Sequence, residues 1–254
     1  MAKQAGIIVP EGCKKVLVHA CCAPCSSAIV EWMMAHGIEP VIYYYNPNIF
    51  PKEEYEIRKN ESKRHAETLG IKWFDDDIIV NQRESKKLVQ RESCEKSDQR
   101  FLENNPIGWE QRHEEWKEAV CGLENEPERG KRCEACFYHR MLATGLKAKE
   151  LGIQYFATTL ASSRWKNLEQ INAAGIKAQE TVNRQNSGHR TQSTECSIQP
   201  ENEVIFWAQN WRKDGLQDRR NALLKEYNFY NQQYCGCEYS MRTTEKENAN
   251  MSVA

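Results

Sequence analysis

The sequence predicts an α/β protein with a mostly parallel five-stranded sheet flanked by helices, because short apolar runs alternate with longer amphipathic segments. The first run begins at Val16 and is followed by a Pro-containing turn and an amphipathic segment that ends at Gly37. The second, 40–48, is rich in β-branched and aromatic residues and stops at Asn-Pro. Ligands bind beyond the carboxyl ends of such strands, so that edge is the expected site.

The later elements continue the alternation. A long helix should begin near Pro51, with Glu53 and Glu54 complementing its dipole, and end at Gly70. Arg58 falls on the inward stripe of this helix, so it needs a carboxylate or an anionic ligand as its partner. Further strands are expected at 71–74, 155–160 and 204–207, and further helices at 133–151, around 168–174 and after 211–220.

Residues 1–241 are expected to form a single α/β domain, followed by a disordered polar tail at 242–254. Within the domain, the polar stretch at about 81–130 predicts a helical lobe with Trp109 and Trp116 on one face. The Gln/Asn/Ser/Thr-rich stretch at about 175–203 has almost no apolar period and predicts an extended loop or insertion.

Composition limits the partners and the compartment. A formal net charge of −1 gives no global attraction to nucleic acid, so a polyanion would have to be held by local basic patches. The sequence contains neither the apolar core of a signal peptide nor a run of about 20 apolar residues, so a cytoplasmic protein without a membrane partner is the expectation. Eleven cysteines in a reducing compartment favour metal binding or redox chemistry over disulfides.

Seven of the eleven cysteines fall into three tight groups, which are Cys21, Cys22 and Cys25, then Cys133 and Cys136, then Cys235 and Cys237. Such spacing lets neighbouring thiolates bind one metal or cluster. Seven thiols exceed the four ligands of one tetrahedral zinc, and a 4Fe-4S cluster also uses at most four. The other three could serve a second metal, a redox dithiol or the surroundings of the cluster.

Two local features refine this interpretation. Cys25, Cys133 and Cys136 lie near predicted helix starts, where the positive end of the helix dipole is expected to lower a thiol pKa. The turn ACCAPCSS after the first strand has no glycine, whereas a phosphate-binding loop needs glycines so that backbone N–H groups can approach the phosphates. The turn therefore favours metal binding over ATP binding.

Long motifs run through nearly the whole chain: HACCAPCS at 19–26, YYNPNIFPKEEYEIRKNE at 44–61, EPERGKRCEACFYHRM at 126–141, FATTLASSRWKN at 156–167, NWRKDG at 210–215 and YNQQYCGCEYS at 230–240. In these motifs the chain resembles the cobalamin-independent epoxyqueuosine reductases of the QueH type. The resemblance implies a fold related to the adenine-nucleotide α-hydrolases (PP-loop, HUP-like) and an iron–sulfur cluster. It also implies reduction of epoxyqueuosine to queuosine at the wobble position of tRNA, with electrons from an external donor. The stretch at 175–203 is longer and more polar than expected of this family.

Residue roles follow from this resemblance as hypotheses. One arrangement among several places a 4Fe-4S cluster on Cys22, Cys133, Cys136 and Cys237, and an additional iron on Cys21, Cys25 and Cys235. The proton donor stays unassigned, with Tyr44, Tyr234, Asp75 and Asp76 as candidates. For tRNA, cations interleaved with aromatic side chains suit phosphates and splayed bases, and the candidates are Arg58, Arg164, Trp165, Lys166, Trp211, Arg212 and Lys213.

Two other functions compete with this one. The first is a zinc-stapled RNA-binding module without catalysis, which would explain the basic loops but would leave three of the seven grouped thiols unexplained. The second is an ATP-dependent tRNA thiolase on a PP-loop fold, which the missing glycine loop disfavours.

Overall fold

A computed structural model describes residues 6–77, 108–184 and 203–241 of the chain. The strands are β1 (Lys15–His19), β2 (Glu39–Tyr44), β3 (Trp73–Asp75), β4 (Tyr155–Thr158) and β5 (Ile205–Phe206). They pair in the order β3-β2-β1-β4-β5, and each pairing is parallel. The predicted five-stranded parallel sheet is therefore confirmed, with β1 at its centre.

The helices are α1 (Ala23–Ala35), α2 (Lys52–Thr68), α3 (Trp109–Ala119), α4 (Lys131–Glu150), α5 (Leu168–Arg184) and α6 (Leu216–Glu226). Helix α1 packs against α2 and α6, whereas α4 packs against α5. The strand order reverses direction at β1, so right-handed crossovers place these two groups on opposite faces of the sheet. This is a Rossmann-like, HUP-type arrangement, as predicted.

The sheet is buried on both faces, as parallel sheets are. Val16, Leu17 and Val18 of β1 have no exposed surface, and Phe156 and Ala157 of the adjacent β4 are equally buried. Because the apolar run ends with β1, the cysteines that follow it lie where the strands end. The fold thus fixes the position of the thiols.

The prediction of a loop at 175–203 is wrong for the first part of that range. Helix α5 continues to Arg184, and it buries Ile171, Ala174, Ala178 and Val182 at helical spacing. Between Ile171 and Val182 the stripe consists of small residues, which is why the segment looked polar and aperiodic. Residues 185–202 lie outside the described residues.

The third strand and the helical lobe can be compared with the prediction in the same way. The third strand, expected at 71–74, is Trp73–Asp75, so Asp75 belongs to the strand. Helix α3 lies within the predicted helical lobe and buries Trp109 and Trp116 as expected. Residues 78–107 of that region, like the predicted tail at 242–254, lie outside the described residues. Among the helices that are described, none has the length and apolar character to cross a membrane.

Candidate metal centre

The first cysteine group occupies the turn between β1 and α1. Cys22 is the N-cap of α1 and Cys25 lies in its first turn, so all three thiols are held within a few residues of the strand end. The Sγ atoms of Cys21, Cys22 and Cys25 lie within 4.8 Å of one another. Those of Cys21 and Cys22 are 3.8 Å apart. The three thiols therefore converge on one point.

Hydrogen bonds from neighbouring strand ends fix this turn. The buried His19 ring contacts Thr158 Oγ1 at 2.8 Å and the carbonyl of Tyr45 at 3.0 Å, which ties β1 to β4 and β2. Asn46 Nδ2 donates to the carbonyl of Ala20 at 2.8 Å. Burial, reinforced by Arg140, lowers the pKa of His19 to about 3, so it is a neutral structural histidine.

The other four grouped cysteines come together from opposite ends of the chain. Cys133 and Cys136 lie in the first turns of α4, and Cys235 is close enough to raise the thiol pKa of both, although burial is the larger cause. Cys237 packs with Cys136 against Trp116. Three segments that are far apart in sequence thus supply seven thiols to one region.

Arg58 holds the C-terminal cysteine segment in place. Its guanidinium is 2% exposed and bonds Glu54 at 2.6 Å, so the carboxylate partner expected from the sequence is present. It also donates to the carbonyls of Tyr234 at 3.2 Å and Cys235 at 3.3 Å. The proposed tRNA contact of Arg58 is not supported, because these partners already engage its buried guanidinium.

A small cavity lies between the two sets of thiols, and cations line it. Its walls include Cys21, Cys25 and Cys235 together with Arg58, Arg140, Lys166, Ser163 and Gln232. Lys166 Nζ donates to Cys235 Sγ at 3.3 Å. Lys166, expected from the sequence to bind tRNA, therefore points at the thiols, where it can stabilise negative charge.

The thiol pKa values do not follow the helix dipoles. Burial raises the pKa of Cys133 to about 11 and also that of Cys136, and contact with Cys21 raises that of Cys25 to about 12, so the expected lowering at helix starts is wrong. The pKa of Cys21 is lowered by bonds from its neighbouring thiols. Burial opposes ionisation of Cys235, but Lys166 and Arg140 outweigh it and lower that pKa.

The thiols suit metal binding in number and spacing. Tetrahedral ligands at about 2.3 Å from a zinc-sized ion are about 3.8 Å apart, which is the separation of Cys21 and Cys22. The buried cations Arg58 and Arg140 lie on the same cavity and balance the charge of a thiolate-bound group. The residues present therefore fit a thiolate-bound metal group, with more ligands than one ion requires.

The four candidate proton donors are engaged elsewhere. The Tyr44 hydroxyl donates to the carbonyl of Tyr55 at 3.3 Å, and the Tyr234 hydroxyl donates to the carbonyl of Phe50. Asp75 pairs with Lys59 at 2.8 Å. Asp76 pairs with Arg112 and Lys147, each at 3.1 Å. None of the four lines the thiol cavity.

The aromatic residues predicted to bind RNA separate into two kinds. Trp211 is 1% exposed and packs against Trp32 and Trp207, so its expected role in stacking on a base is wrong. Trp165 is 79% exposed. Arg164 is exposed as well, whereas Arg212 and Lys213 are partly buried.

Arg129 is a site residue that the sequence did not single out, whereas the sequence places Arg140 on the same side of its helix as Cys136. Arg140 lines the thiol cavity and bonds Asn46. The backbone N–H of Arg129 donates to Cys133 Sγ at 3.3 Å. Its position just before Gly130 and the helix start was the one available signal.

Comparison with known proteins gives a consistent result. The family model described as Epoxyqueuosine reductase QueH matches residues 16–101 and 83–243. Proteins named Epoxyqueuosine reductase QueH from Acinetobacter baylyi and Histophilus somni are each 36% identical over 238 residues, which is 94% of this chain and 85% or 76% of theirs. One from Thermotoga maritima is 28% identical over 93% of this chain and 95% of its own. The chain therefore belongs to the epoxyqueuosine reductase QueH family, a family of oxidoreductases.

Proposed function

We propose that this protein reduces epoxyqueuosine in tRNA to queuosine with a 4Fe-4S cluster held by its cysteines and electrons from an external donor. Family membership supplies the substrate. The observation that carries the redox part is that three segments bring seven thiols into one region, with Cys21, Cys25 and Cys235 on the walls of a cation-lined cavity. A zinc staple alone would use four of them.

The reaction consumes two electrons and two protons, turns the epoxide into an alkene and releases water. When bound, the cluster supplies the electrons, and an additional iron would supply a Lewis acid. Negative charge develops on the epoxide oxygen as its C–O bonds break, and Lys166 and Arg140 face the cavity where this occurs. Their N–H groups are placed to donate hydrogen bonds to that oxygen, which stabilises the charge in a partly buried site.

The spacing of the thiols supports a changed division of the ligands. Cys22 lies beside Cys21 and Cys25, whereas Cys235 neighbours Cys133 and Cys136. We therefore assign the cluster to Cys133, Cys136, Cys235 and Cys237, and the additional iron to Cys21, Cys22 and Cys25. This exchanges Cys22 and Cys235 relative to the division suggested by sequence.

Two variants distinguish the divisions. Cys235→Ala should lose the visible absorption and labile sulfide of the cluster, whereas Cys22→Ala should keep both and lose only part of the iron. The opposite pattern would restore the division suggested by sequence. Cys13→Ala is a matched control, because Cys13 is buried in the apolar core.

The activity itself is tested with tRNA from cells that accumulate epoxyqueuosine. Anaerobically purified, iron-loaded protein and a chemical reductant should convert epoxyqueuosine to queuosine, as measured by mass spectrometry of the digested tRNA. Colourless protein that binds only zinc and leaves epoxyqueuosine unchanged would instead support the RNA-binding module.

A further inference from the structure

The inference concerns the rim loop, residues 163–166, and in particular the exposed indole of Trp165. With 79% of its surface exposed, Trp165 differs from Trp109, Trp116, Trp207 and Trp211, each of which is at most 9% exposed. Tryptophan is enriched at interfaces because it combines a large apolar ring with a polar N–H group. Tryptophan is also among the residues that dominate binding energies.

The rim loop is held in one conformation by two arginines. Arg212 donates to the carbonyl of Ser163 and, at 2.9 Å, to that of Lys166, so it ties both ends of the loop. Arg129 Nε donates to the carbonyl of Trp165 at 2.8 Å. Because the backbone on each side of the indole is fixed, binding to it would cost little ordering entropy.

Arg129 also connects the rim loop to the thiols. It has a positive φ of 65°, a conformation that residues other than glycine rarely adopt. In this position its N–H bonds Cys133 Sγ, its side chain holds Trp165, and its carbonyl accepts from Gln170 Nε2 at 2.6 Å. Such conformations persist where the surroundings enforce them, often at functional sites.

Three guanidinium groups converge at this loop. Arg129 and Arg212 donate to carbonyls of the loop, and Arg164 belongs to the loop itself. Within residues 6–77, 108–184 and 203–241, none of the three forms an ion pair with a carboxylate. The loop therefore carries an excess of positive charge beside an exposed aromatic ring, which suits a nucleic acid strand.

The rim loop lies at the mouth of the thiol cavity. Ser163 and Lys166 line that cavity, and Arg164 and Trp165 stand between them on the exposed side. We propose that Trp165 is a stacking platform for one unpaired nucleotide of the substrate RNA, the neighbour of the nucleotide whose base enters the cavity. This inference rests on the proposed function and adds to it the position of the strand.

The roles of the arginines follow from their contacts. Arg164 is exposed and is therefore placed to bind a phosphate of the strand. Arg129 and Arg212 are positioning residues, because their guanidinium groups hold the loop carbonyls. A stacked base is bound with little sequence preference, because every base has a π face. The cavity therefore selects the modified base, and Trp165 sets the register of the strand.

The test is a double-mutant cycle of protein and RNA. Fluorescein-labelled anticodon stem-loop hairpins, either intact or abasic at one position next to the wobble nucleotide, are bound to iron-loaded protein without reductant and followed by anisotropy. Trp165→Ala should weaken binding of the intact hairpin by about 5- to 150-fold, and Trp165→Phe by much less. With the hairpin that lacks the base stacked on Trp165, Trp165→Ala should no longer change the affinity. Ile176→Ala, which shortens another exposed apolar side chain, should bind like the parent.

Arg129→Gly separates the two roles of that residue. Glycine accepts the positive φ, so the N–H bond to Cys133 and the iron content should stay as in the parent, while the bond to Trp165 is lost. RNA affinity should fall several-fold. Loss of iron together with affinity would show that Arg129 acts on the metal site and would contradict its role in positioning Trp165.

The platform is refuted if Trp165→Ala binds the intact hairpin like the parent, or if its effect persists with every abasic hairpin. These binding measurements do not depend on turnover. If the parent reduces epoxyqueuosine but the effects of Trp165→Ala and of the abasic position on affinity simply add, only the platform is refuted. If the two effects are coupled but the protein leaves epoxyqueuosine unchanged, the proposed reduction is refuted and the RNA platform stands.

Discussion

At the scale of single residues, the buried Arg58 shows how a charge in a binding motif can serve the fold. It is 2% exposed, and its donors are engaged by Glu54 and by two carbonyls of the C-terminal segment. Methionine at this position would leave Glu54 with an unpaired buried charge and would release the segment. Breaking a buried ion pair in this way costs about 3–5 kcal/mol.

We therefore expect Arg58→Met to lower the free energy of unfolding by about that amount in urea titrations. It should also reduce the iron content, because Cys235 and Cys237 lose their support. Arg64→Met is a matched control on the same helix, since Arg64 is exposed. Equal stability of Arg58→Met and the parent would contradict the structural role of Arg58.

His65 provides a second residue prediction, based on pH. It is 3% exposed, with its ring against Tyr227 and Phe229, and burial lowers its pKa from 6.5 to about 4 despite an opposing effect of Glu31. Above pH 6.5 both folded and unfolded states are neutral at this site. As the pH falls from 6.5 to 4 the unfolded state takes up the proton first, so this site alone should cost about 3 kcal/mol of stability.

His65→Gln should therefore flatten the fall in unfolding free energy between pH 6.5 and 4, as measured by urea titration at several pH values. The exposed His36→Gln serves as its control and should keep the slope of the parent. If the unfolding free energy of His65→Gln falls with pH as steeply as that of the parent, another group dominates the pH dependence between 6.5 and 4.

At the same scale, burial limits what sequence could predict about the site. Trp165 and Trp211 each stand beside a lysine or an arginine, but one is exposed and the other packs under α1. Neighbouring residues do not encode that difference, because it depends on which element covers the ring. For the same reason Lys166 was expected to contact tRNA, although it reaches the thiols.

At the scale of elements, the contact between α5 and β5 can be tested at one glycine. A Cβ on Gly175 would lie 2.3 Å from Phe206 Cε1. Alanine gains about 1 kcal/mol of helix propensity over glycine, but overpacking costs about 1–3 kcal/mol. We expect Gly175→Ala to lower the free energy of unfolding, and Phe206→Leu added to it to recover part of the loss. A more stable Gly175→Ala would show that the helix and strand are further apart.

The same helix shows where pattern reasoning fails. Its buried stripe beyond Ile171 consists largely of Ala174, Gly175 and Ala178, which carry little apolar weight in a sequence. The strands were predicted well because a run of β-branched and aromatic residues is a local signal for a strand. A helix face made of small residues gives only a weak local signal, so the C-terminal half of α5 was predicted as a loop.

At the scale of the whole molecule, the parallel sheet is what makes seven scattered thiols neighbours. Cys21, Cys22 and Cys25 were predicted at the carboxyl edge because the sequence identifies the strand that precedes them, and the structure confirms this position. The division of ligands between the sets was not predictable. It depends on how α4 and the segment after α6 dock, and Arg58 and Ile49 fix the latter through contacts with Cys235 and Cys237.

If the proposed metal group joins these segments, its removal should loosen the segments and leave the sheet intact. Metal binding that requires a folded site adds its free energy to the stability of that site. In hydrogen exchange measured by mass spectrometry, chelated protein should exchange at least about tenfold faster than loaded protein at 230–241 and 20–26, a local loss of about 1.4 kcal/mol. Peptides covering β1 and β4 should exchange equally in both forms, since their pairing is independent of the thiols. Equal exchange at 230–241 in both forms would mean that Arg58 and the apolar contacts alone hold this segment in place, and that the metal group does not stabilise it.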